Sequence, residues 1–176
     1  MVVGVVLSGG QSRRMGSPKA ELKWPSAHGE LTWLAHAQAR LAAVCDAVVV
    51  SGGADLPDAV PGQMGPLAGV VAALRQYPYC LFLPVDMPRV QVVDLEPLLG
   101  SGPSAYLGSL FPLALPASVL EQAETRLFDS NSGQRSVQGL LADLGASVRW
   151  LDGPAERLQN VNTPDELRAL NSNHEV

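Results

Sequence analysis

The residues with the clearest chemical potential lie together near the start of the chain, in LSGGQSRRMGSPK at 7–19. Ser8, Gly9 and Gly10 follow an apolar run, and Arg14 and Lys19 come behind them. Glycines at such a handover let successive backbone N–H groups approach an anion closely, forming a concave nest for phosphate. Four of the 12 Lys and Arg residues (Arg13, Arg14, Lys19 and Lys23) fall between 13 and 23, where the only acid is Glu21. This local positive field belongs to a chain of net charge −5. A polyphosphate is the ligand class that such a field holds, and Arg and Lys stabilise negative charge developing on phosphoryl oxygens during transfer. The stretch is not a P-loop, because Ser17 and Pro18 separate Gly16 from Lys19, and it lacks GxGxxG.

A second candidate is Asp86 in FLPVDMP at 82–88, just past an apolar run. A carboxylate there can hold Mg²⁺ against a triphosphate, since Mg²⁺ takes one or two carboxylates plus phosphate oxygens. The plainer alternative is an Asp that opens a turn before Pro88. GPLAG at 65–69 sets two glycines around a helix start, and NVNTPDEL at 160–167 carries Asn160 and Asn162 just ahead of another. Amides in that setting either read a polar heterocycle or phosphate, or simply form turns. His28, His36 and His174 have no partner in the sequence and receive no catalytic role. Cys45 and Cys80 show neither CxxC nor Cys/His spacing, so two buried thiols are expected rather than a disulfide framework or a zinc site.

The elements that must position these groups follow from hydrophobic pattern. VVGVVL (2–7), AVVVS (47–51) and YCLFLPV (79–85) are continuous rather than alternating, the signature of parallel strands buried on both faces. Between them, LTWLAHAQARLAAV (31–44) reads as a helix with Leu34, Ala37, Leu41 and Val44 on one side. PLAGVVAALRQ (66–76) reads as another, with Pro66 at its first position. The alternation predicts right-handed βαβ crossovers and an open three-layer α/β fold. In such folds ligands collect outside the carboxyl ends of the strands, which places Leu7, Ser8, Gly9, Gly10 and Asp86 on one edge.

Further on, AYLG and LFPLAL are short strand candidates, PASVLEQAETRLF and SVQGLLADL are helices, and SVRWL (147–151) is a strand. Thr163 as N-cap, Pro164 at the first helical position and Glu166 as capping-box partner predict a terminal helix. Residues 171–176 are expected to fray, and the 176 residues to form one domain. A hydrophobic share of 47% with a charged share of 16% describes a globular protein. The acidic balance argues against nucleic acid and anionic membrane as partners, since both need a basic face. The apolar opening is far shorter than the ~20 residues a bilayer requires, so a cytoplasmic protein is expected.

LSGGQSRRMGSPKAEL (7–22) resembles the LAGGxSxRMGxDKxxL signature of the MobA-like molybdenum cofactor guanylyltransferases, and GPLAG, DMP and NVNTPDEL resemble later elements of that family in order. The resemblance implies a three-layer α/β/α sandwich with a Rossmann-like, mostly parallel sheet of the nucleotide-diphospho-sugar transferase type. It implies GMP transfer from Mg²⁺-GTP to the phosphate of molybdopterin, with Arg14, Lys19 and Asp86 catalytic and Asp86 the metal ligand. The nucleotide site it implies comprises Leu7, Ser8, Gly9, Gly10, Lys19, Ser51, Asp58, Gly65 and Asp86, with Asp55 a competitor for the role of Asp58. Gly69, Asn160 and Asn162 fall to the pterin-bearing substrate. A monomer is expected, in transient contact with proteins that deliver molybdopterin or mature molybdoenzymes. Guanine is favoured because related cytidylyltransferases read LAAG where this chain has LSGG. The alternatives are a cytidylyl- or sugar-phosphate nucleotidyltransferase of the same fold, or a non-catalytic nucleotide-binding protein in cofactor maturation. Pro18 stands where the signature has Asp, Ser51 where Asn is common, and SLFPLAL lacks a frequent Arg or His before its Pro-Leu.

Overall fold

The structure, a computed structural model, describes residues 1–8, 19–26, 29–57, 59–60, 65–129 and 135–172. The first half runs β1 (Val3–Leu7), β2 (Lys23–Ser26), β3 (Gly29–Thr32), α1 (Trp33–Ala42), β4 (Ala47–Ser51), α2 (Pro66–Gln76) and β5 (Tyr79–Pro84). The second runs α3 (Val92–Leu95), β6 (Ser104–Tyr106), β7 (Leu113–Pro116), α4 (Leu120–Phe128), α5 (Val137–Leu144), β8 (Arg149–Leu151) and α6 (Pro164–Ser172).

Six strands form one sheet in the order β4-β1-β5-β7-β6-β8. β1 pairs in parallel with β4 and with β5, Leu7 lying level with Ser51 on one side and Pro84 on the other. β7 runs antiparallel to both neighbours, and β8 is parallel to β6, so the sheet is mostly parallel. The continuous β-branched run of β1 is buried along its whole length. Each fully buried Val or Leu side chain there contributes about 1.5–3 kcal/mol relative to exposure.

Successive strand residues face opposite sides of a sheet, so Gly4 and Leu7 mark its two faces. A Cβ on Gly4 would lie 2.8 Å from Leu41 Cβ of α1, whereas one on Gly69 of α2 would meet Leu7 Cδ2 at 3.1 Å. α1 and α2 therefore cover opposite faces, as the three-layer expectation requires. α2 is buried from Leu67 through Leu74, being enclosed between the sheet and α4.

The helix expected over 31–44 is shorter. Leu31 and Thr32 belong to β3, because the Thr32 backbone is extended and its Oγ1 accepts the Ala35 N–H at 3.0 Å, starting α1 at Trp33. Its buried face is Trp33, His36, Ala37 and Leu41, with Leu34 and Val44 only half-buried. β2 and β3 form a separate antiparallel ribbon that the pattern did not announce. A small second core of Trp24, Trp33 and Val161 holds it, with Leu22 and Leu167 packed at its margin. Of the two thiols, Cys80 is buried and Cys45 half-buried. Burial pushes the Cys80 thiol up to about 12 and Cys45 up to about 11, so both stay protonated. Among the described residues no helix is long and apolar enough to cross a membrane.

Candidate active site

The carboxyl ends of β1, β4 and β5 form one edge. There the Val85 N–H donates to the Leu7 carbonyl at 3.2 Å, joining the two strand tips. Ser8 Oγ donates to the Ser51 carbonyl at 3.0 Å, tying the residue after β1 to the last residue of β4. Beyond β5 stands Asp86. Its Oδ2 accepts Lys19 Nζ at 2.9 Å and its Oδ1 accepts Asn160 Nδ2 at 3.1 Å. Lys19 Nζ also donates to Asn162 Oδ1 at 2.6 Å. The Lys19 and Asp86 side chains are 15% and 17% exposed, so the pair is partly shielded yet open to a ligand.

Local structure explains this convergence. Lys19 opens a short 3-10 turn, Lys19–Glu21, that leads into β2. The Val161 N–H donates to the Asp86 carbonyl at 2.7 Å, and the Val161 side chain enters the tryptophan core. With Val161 pointing inward, the amides on either side of it reach Asp86 and Lys19. The capping box expected at Thr163 is present: Thr163 Oγ1 accepts the Glu166 N–H at 3.2 Å, and Glu166 Oε2 accepts the Thr163 N–H at 3.1 Å. Glu166 Oε2 also takes the Asn162 N–H at 2.5 Å, fixing the backbone of one site residue.

Two further supports were invisible in the sequence. His36 is buried and its Nε2 lies 2.9 Å from the Pro88 carbonyl. Burial, then the Arg40 charge, pushes the imidazole down to about 4. The ring is thus neutral near pH 7, and its Nε2–H donates to Pro88. Arg40 Nε donates to the Val90 carbonyl at 3.0 Å, so α1 grips the loop after Asp86 at two points. The other support is Asp94, buried at the start of α3, whose carboxylate takes Arg157 Nε at 2.9 Å and a second guanidinium nitrogen at 2.6 Å. Burial alone would raise the Asp94 carboxyl, but Arg157 and the Gln91 N–H outweigh it and hold it below its ordinary value. Arg157 thereby anchors the segment that carries Asn160 and Asn162.

Leu7, Ser8, Lys19, Ser51, Asp86, Asn160 and Asn162 gather along this edge. Gly65 is the N-cap of α2, with φ +71° and ψ −173°, a region that a side chain resists. Gly69 lies one turn on, and a Cβ there would fall 2.4 Å from Ser51 Oγ and 3.1 Å from Leu7 Cδ2, so the glycine lets α2 sit close on the tips of β4 and β1. Gly9, Gly10, Arg14 and Asp58 lie outside the described residues, and Asp55 is exposed in the turn after β4. Next to Asn160 and Asn162 opens a cleft of ≈ 940 Å³, bounded also by Pro66, Arg89 and the 107–111 turn. Gly69 is not among the residues lining it.

A family profile, the MobA-like NTP transferase domain, matches residues 4–147. The chain belongs to this family. It is a nucleotidyltransferase. A molybdenum cofactor guanylyltransferase of Xanthomonas euvesicatoria is 37% identical over 181 residues, covering 95% of this chain and 93% of that protein. A probable molybdenum cofactor guanylyltransferase of Rhodopirellula baltica is 34% identical over 196 residues, covering 94% and 90%. Among solved structures, molybdopterin-guanine dinucleotide biosynthesis protein A of Archaeoglobus fulgidus superposes with a TM-score of 0.68 at 20% identity, covering 96% of each chain. This last likeness concerns the fold. Lys19 of the first motif and Asp86 of the second meet beyond the strand tips.

Proposed function

We propose that this MobA-like chain transfers GMP from Mg²⁺-GTP to the terminal phosphate of a molybdopterin-type acceptor, releasing pyrophosphate. The observation that carries the reading is the contact of Lys19 with both Asp86 and Asn162. It joins the segment behind the glycine loop, the carboxylate beyond β5 and the segment with acceptor-type amides. The names of the relatives point to the same acceptor.

An oxygen of the acceptor phosphate attacks the α-phosphorus, and the bond from that phosphorus to the oxygen bridging the β-phosphate breaks. The electron pair leaves with pyrophosphate. A phosphate monoester is already anionic at neutral pH, so no general base is needed and the chain contributes alignment and charge neutralisation. Leu7, Ser8, Gly9, Gly10, Ser51, Asp58 and Gly65 seat the nucleotide, and Arg14 and Lys19 neutralise its phosphates. Asn160 and Asn162 face the acceptor, and Gly69 serves the site through the position of α2.

Asp86 would hold Mg²⁺, which supplies further charge neutralisation on the phosphate oxygens. The donor set fits: Asp86 offers one carboxylate, 17% exposed, beyond the tip of β5. That suits a cation carried largely by substrate phosphates. The test is pyrophosphate release with Mg²⁺, each of the four nucleotides, and molybdopterin. Release with GTP only when the pterin is present is the expected result. Release with CTP instead would move the chain to the cytidylyltransferases, and tight GTP binding without product would make it a binding protein.

A further inference from the structure

We propose that Arg89 binds the phosphate of the acceptor and so selects a phosphorylated molecule over its dephosphorylated form. The inference rests on the acceptor reading above and adds a residue to it.

Arg89 is half-buried, lines the ≈ 940 Å³ cleft beside Asn160 and Asn162, and follows Asp86 by three positions. Its backbone is fixed on both sides. The preceding carbonyl, Pro88, is held by His36 at 2.9 Å, and the following one, Val90, by Arg40 at 3.0 Å. Val90 is 1% exposed, which leaves the loop little freedom. The side chain between these anchors makes no hydrogen bond or ion pair with any described residue, and most cations of the chain are committed. Lys19, Arg75, Arg126, Arg157 and Arg168 sit on carboxylates, while Arg40 and Arg149 sit on carbonyls. Lys23 and Arg135 also lack a described partner, but both are exposed to water.

A half-buried guanidinium without an acceptor carries a desolvation cost that a ligand anion would offset. The cleft's other charged group, Glu166, is already occupied with the backbone N–H groups of Asn162 and Thr163. The same cleft is also lined by Leu107 and Leu110, 58% and 42% exposed, and by Phe111. Guanidinium, amides and apolar side chains together suit a flat heterocycle that ends in phosphate. The planar fork of Arg can grip two phosphate oxygens and leave the third for attack.

The experiment titrates wild type, Arg89→Gln and Arg89→Lys with a hydroxymethylpterin phosphate monoester and with its dephosphorylated form, without nucleotide or metal. Wild type is expected to prefer the phosphorylated pterin by roughly ten- to hundredfold, and Arg89→Gln to lose most of that preference. Arg89→Lys should recover part of it. In turnover, Arg89→Gln should raise the KM for the acceptor by a similar factor and leave the KM for GTP within about twofold. A preference retained in Arg89→Gln, or none in wild type, overturns the proposal. Absence of turnover with GTP and molybdopterin would sink the guanylyl-transfer reading, while the titration would still decide the role of Arg89.

Discussion

Asp86 at the tip of β5 and Asp94 at the start of α3 are each paired with a cation distant in sequence, 67 and 63 residues away. The chemistry of the two pairs differs. Asp94 is 2% exposed, and the fork of Arg157 engages both of its oxygens while the Gln91 N–H adds a third donor. Asp86 gives one oxygen to the single ammonium of Lys19 and the other to the Asn160 amide. An ammonium on a flexible stem can be handed from a carboxylate to a phosphate, whereas a planar fork with two bonds is committed to one partner. On the proposed function, the first pair is the one a substrate rearranges and the second belongs to the frame that holds it.

Substitutions should separate the two regions. Asp86→Asn keeps the side-chain shape, so the rate of pyrophosphate release is expected to fall about 10³-fold with Tm within about 3 °C of wild type. Activity above about a tenth of wild type would remove Asp86 from the reacting centre. Lys19→Gln should cost about 10²-fold in kcat/KM, again with little change in Tm. A Tm loss in place of the rate loss would make Lys19 a structural residue and erase the contrast.

Acid probes the frame itself. The folded His36 binds its proton more weakly than the ordinary value of 6.5, near about 4, so the stabilising neutral state is fully present above 6.5 and lost as pH falls toward 4. The loss should reach about 2.5 kcal/mol by about pH 4.5, and urea unfolding of wild type against His36→Gln should show it shrinking in the variant. The depressed Asp94 carboxyl adds a further loss once pH falls below the usual carboxylate range. Smallest in effect, Asp94→Asn should lower Tm by roughly 5 °C and change kcat by less than about threefold. A collapse of kcat in that variant at unchanged Tm would reverse the roles assigned to the two carboxylates.

Much of the site's frame was legible because its signals are local. Continuous apolar runs gave β1, β4 and β5, although β4 lies at the sheet edge and only Ser51 of it is buried; Pro66 marked the start of α2, and the spacing of Thr163 and Glu166 marked α6. The edge shared by Leu7 and Asp86 followed from strand direction alone. The β2–β3 ribbon was not legible: KWPS and GELT are four residues each, contain Pro and Gly, and show no period. What makes them strands is a cluster with Trp33 and Val161, contacts no local window contains. The same holds for His36 on Pro88, for Arg157 on Asp94, and for Arg89, which has no hydrogen bond or ion pair among the described residues. These are three-dimensional coincidences of residues whose types, taken singly, fit any solvated surface.

The Asn160-Val161-Asn162 triplet carries a last consequence. Its two amides meet their partners only because the intervening valine is sunk among the tryptophans while the asparagines on either side stay exposed. Gaining or losing a single residue between the Arg157 anchor and the cap at Thr163 would pull Val161 from the tryptophans or an amide from its partner. The length of this tether is therefore as constrained as its composition, and divergence here should proceed by replacement of side chains rather than by insertion or deletion.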